Sequence, residues 1–261
     1  MKLFLIVSTY DRFNSLGKLV QSIRSRYNQE WKICVVGQEY KRKEIKVIEN
    51  HVDDFLDLRA RIGPHSARVK GLKKWKADFY CNLDDDMELI PETNYEGAIE
   101  KIKSSPDIGM VSGNWVQYDS MLKKKILNME EKFIPQPLVF TGGGLVYPDR
   151  VADLIREYPD KPYMFDDMLW AGVAYVAGYK NYRYLNSLAI HRILSPGGRS
   201  GWVDLANREL PDSRYIKITR MKNFGEERGK RDNNYLIPKG NDITEEAKRL
   251  HLENNRKINS L

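Results

Sequence analysis

The spacing of apolar residues alternates between two periods along the N-terminal third of the chain. Leu16, Leu19, Val20 and Ile23 recur at helical spacing, which predicts an amphipathic helix over residues 15–27. The apolar runs on either side predict strands, and strand, helix and strand with short connections form a βαβ unit. Such a unit implies parallel strands and a right-handed crossover. The elements predicted in this third are strands at 1–9, 31–36 and 79–83 and helices at 15–27, 45–55 and 66–75.

The remainder of the chain carries fewer clear patterns. Its clearest element is a helix that begins at Asp166 and Asp167 and ends at a C-cap glycine, Gly178. Apolar periodicity weakens beyond Ser200. The other elements expected here are a helix at 93–103, a strand at 108–118, an irregular segment or hairpin at 121–136 and a last helix at 244–254.

Length and composition are those of a folded protein. The chain has 261 residues, of which 41% are hydrophobic, and this is enough either for one large α/β domain or for a domain with a small appendage. We expect the α/β domain to cover residues 1–200. A basic C-terminal extension is expected over residues 201–261.

Positive charge is concentrated near the C-terminus. From Lys180 to Leu261 there are 17 Lys or Arg and 10 Asp or Glu, a difference that equals the net charge of +7 of the whole chain. A basic surface attracts partners that carry phosphate, such as nucleotides, nucleic acids or anionic lipid head groups. A lysine-rich surface that only aids solubility is the alternative interpretation.

The chain contains no run that approaches the ~20 apolar residues needed to span a bilayer. Residues 1–7 are too short for the apolar region of a signal peptide. Cys34 and Cys81 fall within predicted strands and are interpreted as buried thiols. We therefore expect a cytoplasmic protein, with a peripheral membrane contact left open.

A buried strand that ends in three carboxylates is the most informative motif. The apolar run from Ala77 leads directly into Asp84, Asp85 and Asp86. Because ligands collect beyond the carboxyl ends of parallel strands, these acids lie where a ligand would bind. Mg²⁺ and Mn²⁺ prefer oxygen ligands, and Asp84 and Asp86 can reach one point in space. A solvated acidic turn or a helix N-terminus is the alternative.

Several further motifs follow in an order that resembles the family 2 glycosyltransferases of the GT-A fold, over about residues 1–200. The resemblance implies a Rossmann-like α/β fold with a mostly parallel central sheet flanked by helices. It also implies transfer of a sugar from a nucleotide diphosphate, with a UDP-sugar the expected donor, Mn²⁺ or Mg²⁺ as cofactor and inversion at the sugar. The matching segments are Phe4–Arg12, Gly63–Leu72, Leu83–Asp86, Gly142–Gly144, Phe165–Asp167 and His191.

The resemblance assigns catalytic and metal-binding roles. Asp86 is the expected first metal ligand, Asp84 either shares the ion or holds the ribose, and His191 is the third ligand. Asp167 is the expected general base, because a carboxylate at the start of a buried helix suits that task. Asp166 supports it or caps the helix, and which of the two carboxylates is the base stays open.

The donor is expected over the first strand ends, although Gly37–Tyr40 lacks the acidic segment that many family members carry there. A glycine-rich loop, Leu194–Trp202, is interpreted either as a lid over the donor or as an ordinary loop. Arg68 either meets the nucleotide or is an exposed helix arginine. The expected donor-binding residues are Thr9, Asp11, Arg12, Glu39, Arg68, Asp84, Asp85 and Arg199, and the expected acceptor-side residues are Gly143, Gly144 and Trp202.

The acceptor is not determined by these motifs. A glycan or lipid-linked sugar is one expectation, and the basic extension would pack on the domain or contact this acceptor. The basic segment Arg208–Arg231, which contains Tyr215 and Phe224, also suits DNA with hydroxymethylated bases. A nucleotidyltransferase is an alternative, but no glycine-rich loop follows the first strand. A non-catalytic nucleic-acid-binding protein is another, and the presence of both acidic clusters and His191 argues against it.

Overall fold

A computed structural model describes residues 2–10, 12–27, 31–116, 132–136, 139, 143–157, 166–191, 215–219 and 234–238. Within these residues, nine strands form one sheet, six helices flank it and two further strands form a separate pair. The strands are β1 (Leu3–Tyr10), β2 (Lys32–Gln38), β3 (Asp54–Leu58), β4 (Phe79–Asp84), β5 (Met87–Leu89), β6 (Ile108–Val116), β7 (Phe133–Pro135), β8 (Leu145–Pro148), β9 (Lys180–His191), β10 (Tyr215–Thr219) and β11 (Asn234–Pro238). The helices are α1 (Phe13–Tyr27), α2 (Arg42–Glu49), α3 (Pro64–Lys74), α4 (Tyr95–Lys103), α5 (Asp149–Arg156) and α6 (Asp166–Val176).

The N-terminal half of the sheet is parallel, in the order β3, β2, β1 and β4. Leu5, Ile6 and Val7 of the central strand β1 have no exposed surface, as expected of a strand that helices cover on both faces. Parallel pairing aligns the carboxyl ends of these strands at one edge. The predicted α/β fold, with a central sheet flanked by helices, is confirmed.

The other half of the sheet mixes directions, in the order β8, β6, β9 and β5 after β4. Strand β8 is antiparallel to both β4 and β6, whereas β6 and β9 are parallel. The short strands β5 and β7 each pair antiparallel with β9. The pairing of β5 with β9 places the last residue of β9 beside the acidic end of β4.

The core consists of two apolar layers, one on each face of the sheet. Helices α1, α2 and α4 cover one face, where Ile23 and Ile99 pack in the same cluster as Leu5. Helices α3, α5 and α6 cover the other face, where Leu72 and Trp170 pack in the same cluster as Ile6. Burying each such side chain stabilises the fold by about 1.5–3 kcal/mol. The interpretation of Cys34 and Cys81 as buried thiols is confirmed.

The prediction of one helix over residues 45–55 was wrong. Helix α2 ends at Glu49, and the chain then turns into strand β3. Asp53 makes the turn, because its N–H donates to the Ile33 carbonyl at 2.9 Å and its carboxylate accepts from the Ile33 N–H at 2.8 Å. The side chains of Ile45, Ile48, Val52 and Phe55 imitate a helical repeat across this boundary.

The other predicted elements of the described chain are confirmed, with ends that differ by a few residues. Several elements were not predicted. Strand β5 has only three residues, and β9 mixes polar and apolar side chains, so neither gives a clear periodic signal. The unpredicted elements are β3, β5, β8, α5, β9, β10 and β11, and β7 lies in the segment for which irregular structure and a hairpin were both left open.

Two parts of the organisation stay predictions. Strands β10 and β11 pair antiparallel, but the rest of residues 201–261, including the helix predicted at 244–254, lies outside the described residues. The division at residue 200 and the cytoplasmic location are therefore not tested. No helix among the described residues has the length and apolar character needed to cross a membrane.

Gly144 provides a test of packing between β8 and α4. Its φ is +88°, and a Cβ atom there would lie 2.5 Å from the hydroxyl of the fully buried Tyr95. We predict that Gly144→Ala lowers the free energy of unfolding by about 3 kcal/mol, since backbone strain and overpacking add. Gly178→Ala is the control, because its φ is +92° but no atom lies within 4 Å of the new Cβ.

The control should lose only about 1 kcal/mol, the cost of the left-handed backbone conformation. Urea denaturation of both variants gives the comparison. Equal losses in the two variants would show that Tyr95 does not confine Gly144.

Asp53 provides a test of pH dependence. Burial alone would raise its pKa, but hydrogen bonds from Ile33, Lys32 and Arg24 outweigh burial and lower the pKa of Asp53. The stabilisation is therefore complete above the unfolded-state pKa of about 4 and is lost as the pH falls through the lowered folded value. We predict that Asp53→Asn destabilises the protein at pH 6 and that this difference shrinks as the pH falls through the lowered folded-state pKa. Urea denaturation across this range measures it, and a difference that grows on acidification would contradict the assignment.

Candidate active site

The polar residues that follow the first strands converge at one edge of the sheet. In the register of β1 with its neighbours, Ser8 pairs with Asp84 and Tyr10 pairs with Gln38. Thr9 therefore lies beside Asp85, one residue beyond the end of β4. The convergence expected from parallel strands is present in the structure.

A group of three metal-binding side chains lies at this edge. The ligand atoms of Asp84, Asp86 and His191 all lie within 4.8 Å of one another. His191 Nε2 is 2.9 Å from Asp86 Oδ1 and 3.9 Å from Asp84 Oδ2. Asp86 is nearly buried, whereas the side chain of Asp84 is 33% exposed. The three residues expected to be metal ligands are thus brought together.

The pairing of β5 with β9 explains how His191 reaches the acids from far along the chain. Asp85 and Asp86 form a turn between β4 and β5, and Met87 of β5 pairs with His191 at the end of β9. The ring of Trp115, at the end of β6, meets the His191 ring edge to face at 5.5 Å. The imidazole is therefore fixed by a strand pairing on one side and by an aromatic ring on another.

Asp85 lies between the metal-binding carboxylates and connects them to β1. It accepts hydrogen bonds from the Thr9 hydroxyl at 2.7 Å and from Arg12 Nη1 at 2.8 Å. Thr9 also shares a hydrogen bond of 2.7 Å with the Tyr40 hydroxyl. Burial raises the pKa of Asp85 to about 6, although Arg12 and Thr9 act in the opposite direction. Asp85 thus joins the ends of β1 and β4.

Arg12 bridges two neighbouring acids at the start of α1. The same Nη1 atom that contacts Asp85 lies 3.0 Å from Asp86 Oδ2. The Arg12 side chain is 23% exposed. It offsets the charge of the acidic cluster and remains partly accessible to solvent at the edge of the sheet.

Arg68 is buried, which contradicts the alternative of an exposed helix arginine. It projects from α3, is 2% exposed and donates from Nη2 to Asp84 Oδ1 at 2.7 Å and to the Leu83 carbonyl at 3.2 Å. A guanidinium held in this way fixes the orientation of the carboxylate that it contacts. The direct effect of Arg68 is therefore on Asp84.

The two acids at Asp166 and Asp167 begin α6, as predicted. The helix is held against the sheet because Trp170 Nε1 donates to His65 Nδ1 at 2.8 Å and Asn181 Nδ2 donates to the Ala171 carbonyl at 2.9 Å. Asp167 is half-buried, and the side chain of Asp166 lies outside the described residues. Carboxylates in a first helical turn are stabilised by the helix dipole.

Glu39 lies directly after β2, at the edge where the other strand ends converge. It is exposed, and its φ of +56° is uncommon for a residue other than glycine. Its N–H donates to the Leu58 carbonyl at the end of β3, which holds this conformation in place. The side chain is therefore available at the predicted donor edge.

Gly143 and Gly144 make close contacts inside the protein. Gly143 packs directly on the backbone of Gly113, and the Gly113 N–H donates to the Gly144 carbonyl at 2.8 Å. Among the described residues these glycines allow close packing against β6 and Tyr95, and their expected role on the acceptor side stays a prediction. The predicted residues Asp11, Arg199 and Trp202 lie outside the described residues.

Two aromatic residues at the site were not predicted. Tyr40 accepts a hydrogen bond from the Arg12 N–H at 3.2 Å and contacts Thr9, so it positions the start of α1. Trp115 contacts His191. The sequence placed Trp115 within a predicted strand and Tyr40 just after one, and these positions were the only signals that could have identified them.

A separate groove of about 700 Å³ lies between α1 and the end of α2. Its lining includes Phe13, Leu16, Val20, Val47 and Ile48, and it contains none of the converging acids. An apolar surface of this kind does not suit a nucleotide diphosphate, so the candidate site is the acidic edge of the sheet.

Comparison with known families gives one match of broad extent. The family described as Glycosyl transferase family 2 matches residues 4–159, which is more than half of the chain. A search of curated protein sequences gives no match.

The fold is similar to that of solved glycosyltransferase structures. S. aureus TarS, residues 1–349, matches with a TM-score of 0.56 and 16% identity over 73% of this chain and 60% of that chain. The mannosyltransferase PcManGT from Pyrobaculum calidifontis, in complex with GDP-Man and Mn²⁺, matches with a TM-score of 0.61 and 15% identity over 77% of this chain and 59% of that chain. GalNAc-T7 with UDP, GalNAc and Mn²⁺ matches with a TM-score of 0.59 and 13% identity over 79% of this chain and 48% of that chain. This chain thus spans about 60% or less of each of these three structures, and identities this low indicate a shared fold.

Arg68 provides a test of how the acidic edge is held. We predict that Arg68→Met lowers the free energy of unfolding by about 2 kcal/mol, because Asp84 loses the partner that balances its charge beside Asp86. Lys74→Met is a matched control on the same helix. Lys74 Nζ lies 2.8 Å from Asp54 Oδ1, but the side chains of this pair are 38% and 42% exposed. The Arg68 side chain, in contrast, is buried.

The control pair should contribute less than about 1 kcal/mol, as exposed ion pairs usually do. Urea denaturation in the presence of EDTA separates this effect from metal binding. If Arg68→Met is as mild as Lys74→Met, Arg68 does not hold the acidic edge together.

Proposed function

Since this chain belongs to glycosyl transferase family 2, we propose that it is a metal-dependent enzyme that moves a sugar from a nucleoside diphosphate to an acceptor hydroxyl. The observation that carries the proposal is the convergence of Asp84, Asp86 and His191. A departing diphosphate carries negative charge that must be balanced, and a site of this composition suits the cation that does so.

The three side chains fit a divalent cation. Their ligand atoms lie within 4.8 Å of one another, a span that small side-chain rotations can adapt to a single ion. Three protein ligands leave coordination positions for diphosphate oxygens. Carboxylates suit both Mg²⁺ and Mn²⁺, whereas the imidazole nitrogen of His191 favours a transition metal. Mn²⁺ is therefore the proposed cofactor, with Asp84, Asp86 and His191 as its ligands, and it would take up charge on the leaving oxygens when bound.

The remaining cationic groups of the site would assist the same charge balance. The partly exposed side chain of Arg12 contacts Asp85 and Asp86, next to the position where the diphosphate would bind. Arg68 is buried behind Asp84 and would keep that carboxylate oriented towards the cation. Arg12 is thus proposed to contact the donor and Arg68 to position a ligand.

Asp167 is proposed as the general base. As the acceptor oxygen bonds to the anomeric carbon, the bond from that carbon to the diphosphate oxygen breaks, and the leaving oxygen keeps the electron pair. The acceptor proton passes to the Asp167 carboxylate, which later releases it to water. The products are a glycoside and a nucleoside diphosphate. Attack on the face opposite the leaving group inverts the anomeric carbon.

The donor is proposed to lie over the ends of β1 and β2. Thr9 and Glu39 follow these strands at the same edge as the acidic cluster. Three similar structures support a nucleotide sugar. They are complexes of TarS with UDP-GlcNAc, of PcManGT with GDP-Man, and of GalNAc-T7 with UDP. A UDP-sugar is the first choice.

The acceptor is proposed to be a sugar hydroxyl of a glycan or a lipid-linked sugar. Hydroxymethylated DNA stays a prediction, because most of the basic segment that suggested it lies outside the described residues. Both acceptors would present a hydroxyl to the same base.

A thermal-shift screen of nucleoside diphosphates with and without Mn²⁺ tests the proposal. A ligand at 100 times its Kd stabilises the folded state by about 2.7 kcal/mol. For a chain of this size, that raises the Tm by roughly 5–10 °C. We predict such a shift for UDP with Mn²⁺ and its loss in Asp86→Asn and His191→Gln.

Matched controls are Asp107→Asn and His51→Gln, which change the same residue types away from the acidic edge, at a half-buried position before β6 and at an exposed position after α2. Asp167→Asn should keep the shift and lower turnover by a factor of 100 or more, because only the proton acceptor is lost. The absence of any Mn²⁺-dependent shift with UDP or GDP in the unmodified protein would contradict the proposed function.

A further inference from the structure

Trp115 occupies a fixed position next to the metal-binding group. It pairs with Ala189 across β6 and β9, two residues before His191, and its N–H donates to Asn114 Oδ1 at 3.1 Å. Its indole ring lies 5.5 Å from the His191 ring, with the two planes at 82°. Because Trp115 lies on a strand within the sheet, its side chain is held more rigidly than one on a loop.

Packing does not bury the Trp115 side chain completely. It is half-buried, and its indole N–H has no acceptor in the part of the chain that the structure describes. Two other tryptophans behave differently: Trp75 and Trp170 are buried, and their ring N–H groups donate to Asp54 and His65. A half-buried tryptophan beside a candidate site, with a ring N–H that no described residue accepts, is suited to contact a ligand.

The contacts of the site indicate which part of the donor lies near Trp115. Thr9, at the end of β1, is linked to the metal-binding group through Asp85 and Arg12, whereas Trp115 contacts His191 of that group. In this chain of contacts, the metal-binding group lies between Trp115 and the proposed nucleoside position over the end of β1. In a nucleotide sugar, the diphosphate separates the nucleoside from the sugar. With the diphosphate at the cation, the sugar lies on the Trp115 side.

The chemistry of the side chain agrees with this placement. A sugar ring presents a face of C–H groups and a rim of hydroxyls, and an indole offers an apolar face and one N–H donor. A phosphate or carboxylate would be better served by a cation than by this neutral ring. The acids of the site thus suit the diphosphate of the donor, through the cation that they would hold. Trp115 suits the sugar of the same molecule.

We propose that Trp115 is a specificity-determining residue that stacks on the transferred sugar of the donor. This inference rests on the proposed function, because it requires a nucleotide sugar at the candidate metal site. It assigns the ring to the sugar of the donor and not to that of the acceptor. Trp115 also contacts His191, so its effect on the sugar must be separated from an effect on the metal.

Calorimetric titrations in the presence of Mn²⁺ make that separation. The probes are two pairs, UDP with UDP-GlcNAc and GDP with GDP-mannose. Trp115→Leu should weaken binding of the preferred nucleotide sugar about tenfold, the factor that corresponds to loss of one good aromatic contact. Binding of the matching nucleoside diphosphate should change less than twofold. Trp115→Phe keeps a ring and should retain most of the affinity.

Fluorescence provides a second readout that does not depend on turnover. The nucleotide sugar should change the tryptophan emission of the unmodified protein more than the nucleoside diphosphate does, and this difference should vanish in Trp115→Phe. Circular dichroism and the Tm confirm that each variant is folded. Trp75→Phe is the control for removal of a tryptophan distant from the cation.

The outcomes are distinguishable. Equal weakening of both members of a pair, together with weaker Mn²⁺ binding, would show that Trp115 acts only on His191 and would overturn the inference. Unchanged binding of both members, or an effect confined to the KM of the acceptor, would overturn it as well. If the unmodified protein binds neither pair with Mn²⁺, the proposed function fails and the inference fails with it.

Discussion

The charge repulsion among three consecutive carboxylates at the end of β4 is the constraint that the other residues of the site balance. Asp84, Asp85 and Asp86 repel one another, and the repulsion is strong because Asp85 and Asp86 are buried where the effective dielectric constant is low. Each carboxylate is therefore held by partners from other elements of the fold. The partners are Arg68 of α3 for Asp84, Thr9 and Arg12 for Asp85, and Arg12 and His191 for Asp86.

These contacts join the two halves of the sheet. Thr9 and Arg12 belong to the parallel half, where the first strand ends provide the proposed donor edge. His191 and Trp115 belong to the half with mixed strand directions, where β6 and β9 run side by side. The acidic cluster lies at the boundary, so a cation bound there would contact both halves. In the order of these contacts, the cluster lies between the proposed nucleoside position at Thr9 and the proposed sugar position at Trp115.

The sequence was sufficient for the parts of the site that depend on local pattern. The run that ends in Asp84–Asp86 marked a strand end and a candidate cation site without reference to the rest of the fold. His191 depended on the family resemblance, because its approach to the acids requires the pairing of β5 with β9, which local periodicity does not reveal. The burial of Arg68 and the contact of Trp115 with His191 are also products of tertiary packing. The helix wrongly predicted over 45–55 failed because apolar spacing alone does not mark the turn at Asp53.

The central claim is that Asp84, Asp86 and His191 hold one cation that also binds the diphosphate of the donor. A crystal structure of the protein with MnCl₂ and UDP, with anomalous data collected at the manganese edge, tests it most directly. The account predicts one strong anomalous peak in contact with these three side chains and with oxygens of the diphosphate. A peak that contacts the diphosphate but none of the three side chains, or UDP bound with no manganese at the acidic edge, would contradict the account.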